Sequence, residues 1–591
     1  MGVPDPSIAS PGPGSVPRLL INMLPPAWVP VLLASALQVG ESAVEQMEGL
    51  RAGADDGRGA AGGCCSGPVA VAECWGWSPT NATLNTLSIQ SSLDCEAAST
   101  VRVPKMPGPW VVAPPHGSGE LDFAPPTGSG KIWRVAALNF SRASDKLVIF
   151  EAGCVVQAER WSFHEVRAPL AVIGSLWGLV RNLTIVGEPG ARWEMWKADY
   201  QNVSCDRSSS RSTSRTCFAV SEWRHGLSIW WAHDLIVSGL TIANSGGSGV
   251  SLGGMEGGGD RSNAVALTSR VHISNLTSDG NHREGLFLAN CVTCLIEDCV
   301  FSRTSGTRTM NGVDIEPDNK GATLQDIVFR RCVSLDNMGN GFQAALFNLD
   351  PRIDPPISIT FEDCHAVWSD HFDWKKDGLA GVTNVNGFQV GGGRISGSVS
   401  VIGGSVTGSA GAGLCIVDNP PSGPTVSFSN VVLRDVARLP DTGQNKGMHA
   451  APIHLIDMVG GLGGIYLSNI VVHQRSSAPV LRYDAVSCST AIPATFEGSY
   501  CPNKTSLRGS TIFIRPPSTA PVNASCGAVT DYALASLDGT LTTGGRLFDQ
   551  HDVFGNISFA CCTPAFVASH HDWQSFDGCR AAIKADDQTV Q

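Results

Sequence analysis

Through the middle of the chain, apolar residues recur at every second position in short runs, each entered by a glycine. Gly285-Leu286-Phe287-Leu288-Ala289, Gly312-Val313-Asp314-Ile315-Glu316 and Gly341-Phe342-Gln343-Ala344-Ala345 superimpose at shifts of 27 and 29 residues. Further copies begin at Gly226, Gly249, Gly387 and Gly413. A second register, IEDCVFSR, FRRCVSLDN and FEDCHAVWSD, brings Cys299, Cys332 and Cys364 into step at shifts of 33 and 32. Period-two patterning predicts strands whose alternate side chains share one face. Self-similarity at this spacing, with Gly, Asn, Asp and Ser between the strands, predicts a solenoid. A unit of this size holds three short strands and three turns. The predicted fold is all-β: a right-handed single-stranded parallel β-helix (solenoid) with a short N-terminal capping helix. Leu286, Val313 and Phe342 form one internal ladder; Leu288, Ile315 and Ala344 form a second. Phe287, Asp314 and Gln343 form an outer column, with Ala289, Glu316 and Ala345 beside it.

The ends read differently. Leu19–Leu37 is the most apolar early segment, follows Arg18 and ends in Ala34-Ser35-Ala36, the pattern of a cleaved secretory leader. The division expected is a signal peptide over 1–36, a Gly/Ala-rich linker over 37–73, the β-helix over 74–490 and a Cys-rich cap or extension over 491–591. Within 75–94, Leu84, Leu87 and Leu93 lie near helical spacing behind Ser and Thr, so a short helix closes the first coil. Strands are expected at TVRVP, WVVAP, KLVIFEAG, LAVIG and NLTIVG, and DHFDWKKDG at 370–378 reads as an inserted loop.

Charge and composition narrow the function. A net charge of −12 with no basic run argues against nucleic acid, and no later stretch is long and apolar enough to span a bilayer. Asn81, Asn139, Asn182, Asn202, Asn275, Asn503, Asn523 and Asn556 begin glycosylation sequons. A secreted, glycosylated, monomeric protein, extracellular or at a cell wall or surface, is expected. Nineteen cysteines suit that route. Bridges are expected among Cys64, Cys65, Cys74 and Cys95, between Cys205 and Cys217, and among Cys488, Cys501, Cys526, Cys561, Cys562 and Cys579. Cys291, Cys294 and Cys299 resemble zinc spacing, but Cys299 belongs to the repeating column and no second ligand pair accompanies it.

The candidate chemistry centres on Asn311–Asn319, NGVDIEPDN. With Val313 and Ile315 turned inward, Asp314 and Glu316 both turn outward, their Cα atoms about 6.5–7 Å apart. Adjacent carboxylates repel unless they share a proton, a metal or a cation. Just before earlier strands stand Arg224-His225 and His282-Arg283-Glu284, and Lys197, Asp199 and Tyr200 follow Trp193 and Trp196. The expected catalytic set is Asp314, Glu316, Arg283 and His282. Arg224, His225, Lys197, Tyr200, Glu284 and Gln343 are expected to bind substrate, and Ca²⁺, if used, to sit at Asp314, Glu316 and Asp318. Trp193, Trp196, Trp223, Trp230 and Trp231 are candidates for sugar stacking or for the core.

The segments ATLNTLSIQSSLD, MWKADY, EWRHGLSIW, SGGSGVSLG, GNHREGLFL and NGVDIEPDN, in that order, resemble the pectin-lyase-like right-handed parallel β-helix superfamily over about residues 75–490. The resemblance implies the fold more sharply than the reaction, because the superfamily holds lyases, glycoside hydrolases, uronate epimerases and binding proteins. Ser248 stands where close relatives carry Asp, and His282-Arg283-Glu284 replaces an Arg-Arg or Arg-Gln pair. The paired-Asp, Gly-His-Gly and Arg-x-Lys motifs of polygalacturonases are absent. The expectation is polysaccharide cleavage by a carboxylate pair, as in glycoside hydrolysis. The alternatives are a lyase or uronate epimerase, and a non-enzymatic glycan-binding or structural surface protein.

Overall fold

The computed structural model describes residues 64–114, 136–163, 168–174, 179–200, 222–253, 267–317, 320–369, 385–420, 422–438, 452–457, 464–468 and 470–473, with the backbone of six further strands between 481 and 584. The expected signal peptide, most of the expected linker, the 205–217 and 370–378 loops, Asp318, and the cysteines at 205, 217 and beyond 485 lie outside the described residues.

The chain winds as a right-handed parallel β-helix. Each full coil supplies one parallel strand to each of three long sheets, of 12, 16 and 11 strands among the described residues; in the 16-stranded sheet Arg580–Lys584 departs from this and pairs antiparallel with Asn556–Ala560 and Trp573–Phe576. The repeat expected from the glycine-entered runs is the strand set of the 12-stranded sheet. Leu286, Val313 and Phe342 are in register, as are Leu288, Ile315 and Ala344, and all six are buried in the core. Phe287, Asp314 and Gln343 pair as the outer column. Cys299, Cys332 and Cys364 stack as buried free thiols at the corner between the 16- and 11-stranded sheets. The corner is turned by left-handed residues, Asn275, Asp298, Arg331, Asp363, Gly403 and Asn430 among them, which is why Asn, Asp and Gly interrupt the apolar pattern there. Cys291 and Cys294 are paired as a disulfide, while Cys299 stays in the buried thiol column.

Two columns at the entry to the 12-stranded sheet fix the coil register. The first is the glycines. A Cβ on Gly285 would lie 2.5 Å from the Gly312 carbonyl; on Gly312, 2.7 Å from that of Gly341; on Gly341 and on Gly387, 2.6 Å from those of Gly387 and Gly413. Close approach of successive backbones, not an unusual φ, demands glycine here. The second column is the residue just before each glycine: His225, Ser248, Glu284, Asn311, Asn340, Asn386 and Ala412. In its later half, Asn311 Oδ1 accepts from the Asn340 N–H (2.7 Å), Asn340 Oδ1 from Asn386 (2.8 Å) and Asn386 Oδ1 from Ala412 (2.8 Å). Each buried amide thus satisfies a backbone donor of the next coil.

At the amino-terminal end, helix α1 (Ala82–Leu93) closes the stack, its first turn capped by Asn81 Oδ1 accepting from Leu84 N at 2.9 Å. The face it buries differs from the leucine face expected. Leu87 is exposed, while Asn85, Thr86, Ser88, Ile89, Ser92 and Leu93 face inward. The reason is hydrogen bonding at the strand edges. Asn85 Nδ2 donates to Val111 O (3.0 Å), Thr86 Oγ1 exchanges bonds with Ala113, and Gln90 exchanges two bonds of 2.9 Å with the Asn139 backbone. Strand Val69–Val71, inside the stretch read as linker, pairs with Thr100–Arg102, so ordered structure starts before residue 74. Disulfides Cys64–Cys74 and Cys65–Cys95 bind this end together.

Candidate active site

The site forms where the pre-glycine column changes from amides to charged and hydroxyl groups. Glu284 precedes Gly285, and Asp314 lies one coil on, in the outer column of the same sheet. Both are fully buried. Asp314 therefore turns outward from the coil, as its flanking aliphatics require, yet lies beneath other protein, which corrects its placement as a solvent-facing catalytic acid. Glu316 follows the strand and has a side chain 30 % exposed.

Arg283 joins these groups. Its Nε lies 2.7 Å from Glu284 Oε1, its Nη1 3.2 Å from Glu222 Oε2 and its Nη2 3.5 Å from Glu316 Oε2. Its guanidinium also lies 5.4 Å over the Phe287 ring. Burial alone would lower its pKa, but Glu284, Glu222, Glu316 and Asp314 together hold it above the ordinary arginine value. Glu222 was not among the sequence candidates. Its partner lies 61 residues away, and no spacing rule links them.

Behind Arg283 runs a short proton relay. Ser248 Oγ donates to Glu284 Oε2 at 2.6 Å; Thr309 Oγ1 lies 3.1 Å from Glu284 Oε1 and 2.8 Å from Asp314 Oδ2. A hydroxyl carries one proton, so it cannot donate to both carboxyls. Burial, then the charges of Glu316 and Glu284, push Asp314 well above the usual carboxylate range. Of the two carboxyls Asp314 is the one held well above the usual range, and a neutral Asp314 donating to Thr309, with Thr309 donating to Glu284, is the arrangement that fills both contacts. The other Asp314 oxygen has no hydrogen-bond partner among the described residues, a smaller cost for a neutral carbonyl than for a carboxylate. Glu284 is pushed up to about 7 by burial, against the pull of Arg283 and Ser248. Arg283 already occupies the position of a cation among these carboxylates. Among the described residues no group of three or more His, Cys, Asp or Glu is arranged to hold a metal; Asp318, the third residue of the expected calcium set, lies outside them.

Of the other expected site residues, Lys197, Tyr200, Arg224 and His225 belong to earlier coils and Gln343 lies one coil beyond Asp314. His282 is buried and lowered to about 4 by burial and by the charges of Lys197 and Arg224. Lys197 Nζ donates to Ser305 Oγ (2.6 Å) and Asn281 O (3.1 Å), and burial lowers it to about 8. Arg224 is fully buried, donates to Phe163 O at 2.9 Å and lies 5.2 Å over the Tyr200 ring. His225 accepts from Ser248 N at 3.1 Å and is lowered to about 3 by burial. Gln343 is buried and bonded to Asn340 and Gln389. Arg224, His225, Tyr200, Glu284 and Gln343 are thus interior groups that position their neighbours, not surfaces for substrate. Of the tryptophans, Trp193 lies in the core against Phe140 and Phe150, and none is exposed among the described residues.

No protein-family model matches the chain, and no curated protein matches it. Solved structures do resemble it. A tailspike protein of an E. coli bacteriophage, in complex with a hexasaccharide, is 13 % identical, covers 81 % of this chain and 67 % of its own, and has a TM-score of 0.46. The A-module of an Azotobacter vinelandii mannuronan C-5 epimerase is 12 % identical over 76 % of this chain and 95 % of its own, at a TM-score of 0.34. The Streptococcus pneumoniae surface protein and adhesin PfbA is 8 % identical over 76 % and 96 %, at 0.43.

Proposed function

We propose that this is a carbohydrate-active β-helix enzyme that hydrolyses a glycan, with Glu316 and Glu222 as the carboxyl groups that meet the glycosidic bond. The observation that carries the reading is Arg283, which holds these two solvent-reaching carboxylates on its two Nη atoms. Their oxygens then lie no more than about 9 Å apart, a limit compatible with the range of about 5–9.5 Å used by glycosidase pairs. Glu222 replaces Asp314 as the expected partner of Glu316.

A second line of support is the composition of the columns. Further along the stack the same positions carry Asn340, Asn386, Gln343 and Gln389, which satisfy one another without charge. A structural ladder needs nothing more. Glu284 and Asp314 instead bury two titratable groups, and costly departures from a local rule concentrate at functional sites. They fix Arg283, which in turn orients the working pair. Extracellular placement is supported by the two N-terminal disulfides and by exposed Asn81 and Asn182 in sequons.

The test is a polysaccharide panel read by reducing ends and by the absorbance of unsaturated uronates, with and without chelator. Hydrolysis yields reducing ends without unsaturation, insensitive to chelator, and Glu316→Gln and Glu222→Gln each lose at least about 10²-fold in rate. Full activity in both variants removes the pair. One observation favours a lyase or epimerase: the Lys197 amine, lowered to about 8, is a usable base near neutral pH; unsaturated products would establish the lyase, and inversion at C5 of an uncleaved uronate the epimerase. Another favours a non-enzymatic, glycan-binding or structural protein. Asp314 and Arg224 are buried and Arg283 is internally paired; binding without products would establish it.

A further inference from the structure

Phe347 is an anomaly on a chain that hides its aromatic rings. It is 42 % exposed, and among the described residues only Tyr466, on the 16-stranded sheet, is a comparably open aromatic. The ring is not a loose surface side chain. It rests on the glycine run that ends the next strand of the 12-stranded sheet. A Cβ on Gly391 would stand 3.0 Å from Phe347 Cζ and 3.1 Å from Cε2, and a Cβ on Gly392 would overlap Cδ1 and Cε1. Two successive positions without side chains therefore give the ring a flat backbone floor.

Its position along the solenoid is equally specific. Phe347 follows strand Phe342–Ala345, which pairs directly with the strand Val313–Ile315 that delivers Glu316. Asn348 Nδ2 donates to Pro317 O at 3.0 Å, tying the residue after the phenylalanine to the residue after the glutamate. One inter-strand step and two residues along the chain place the Phe347 Cα on the order of 8 Å from that of Glu316, and its ring lies one coil further along, over Gly391 and Gly392. That is the scale of one to two sugar rings.

We propose that Phe347 is a sugar-binding platform one coil beyond Glu316, taking the apolar C–H face of a pyranose in a chain that runs along the solenoid axis. An aromatic ring open on one face and fixed on the other meets this ligand at little entropic cost. The proposal rests on the reading of Glu316 as part of a glycan site. Phe347 is a positioning residue: it sets how tightly and in what register the glycan lies, not the chemistry.

The test uses the full chain carrying Glu316→Gln, so that bound glycan is not consumed. Its binding to an array of cellohexaose, xylohexaose, mannohexaose, chitohexaose and hexagalacturonate is compared with that of the double variants adding Phe347→Ala or Phe347→Trp. The expected result is binding to at least one hexasaccharide, weakened about tenfold or more by Phe347→Ala and kept within about threefold by Phe347→Trp, with the same thermal midpoint in all three. Unchanged binding after Phe347→Ala overturns the platform, as does binding to none of the probes. Aromatic-dependent binding by a wild-type protein that cleaves nothing keeps the platform and overturns the hydrolase reading. Cleavage lost in Glu316→Gln but with KM indifferent to Phe347 does the reverse.

Discussion

The hydroxyl of Thr309 has one proton to give and two carboxyls beside it, so one of the two contacts needs a proton from a carboxyl. Asp314 holds its proton more tightly in the folded chain than in the unfolded one. Its contribution to stability is full below the unfolded carboxylate value, about 4, and is lost as pH rises toward the raised folded value. Asp314→Asn supplies the same donor without the ionisable proton. Urea melts of wild type and Asp314→Asn from pH 5 to 8 are expected to diverge as pH rises, with the variant ahead by about 1–2 kcal/mol at the top of the range. A difference that stays constant with pH would mean that Asp314 is ionised. His225 and His282 work in the other direction: both are lowered, so below about 6.5 the unfolded chain takes protons that the folded chain refuses. That loss is common to the two proteins and cancels in the comparison.

Among elements, the glycine-entered strands govern the register. Gly312→Ala would press a Cβ against the Gly341 carbonyl at 2.7 Å and Asn337 Nδ2 at 2.9 Å, whereas Gly67 has nothing within 4 Å of the same position. Gly312→Ala is expected to cost about 2–4 kcal/mol and Gly67→Ala less than about 0.5, read as the shift in chemical denaturation midpoint. The ladders were legible in the chain because period-two patterning maps directly onto inward and outward faces: Leu286, Val313 and Phe342 had no other consistent arrangement. Burial of the outward face was not legible. Alternation tells that Asp314 leaves the coil, but not that Thr309 and Arg283 close over it. Leucine spacing points to the wrong face of α1 because it signals apolar packing, and α1 packs against strand edges whose need is for hydrogen bonds, met by Asn85, Thr86 and Gln90. Glu222 escaped notice because it reaches Arg283 only through the coil-to-coil fold.

For the molecule as a whole, the glycine entries lie between 23 residues apart (Gly226 to Gly249) and 46 (Gly341 to Gly387), yet their strands keep one register. Length is absorbed between strands, so the surface beside the site can change while the core does not. The amino-terminal end depends on its covalent ties. Reduction of Cys64–Cys74 and Cys65–Cys95 is expected to lower stability by about 2–4 kcal/mol per bridge, and amide exchange should show Val69–Val71 and Thr100–Val103 losing protection before the central coils. The same end has a further consequence. A stack of parallel strands is an open template, and an unfilled edge recruits another chain. Here Asn85, Thr86 and Gln90 occupy the very groups that a newcomer would have to use. At the ends of the 11- and 12-stranded sheets the arriving molecule meets a helix instead of a ladder, so growth from those two edges is opposed by the twelve residues of α1, while the 16-stranded sheet ends on Val69–Val71.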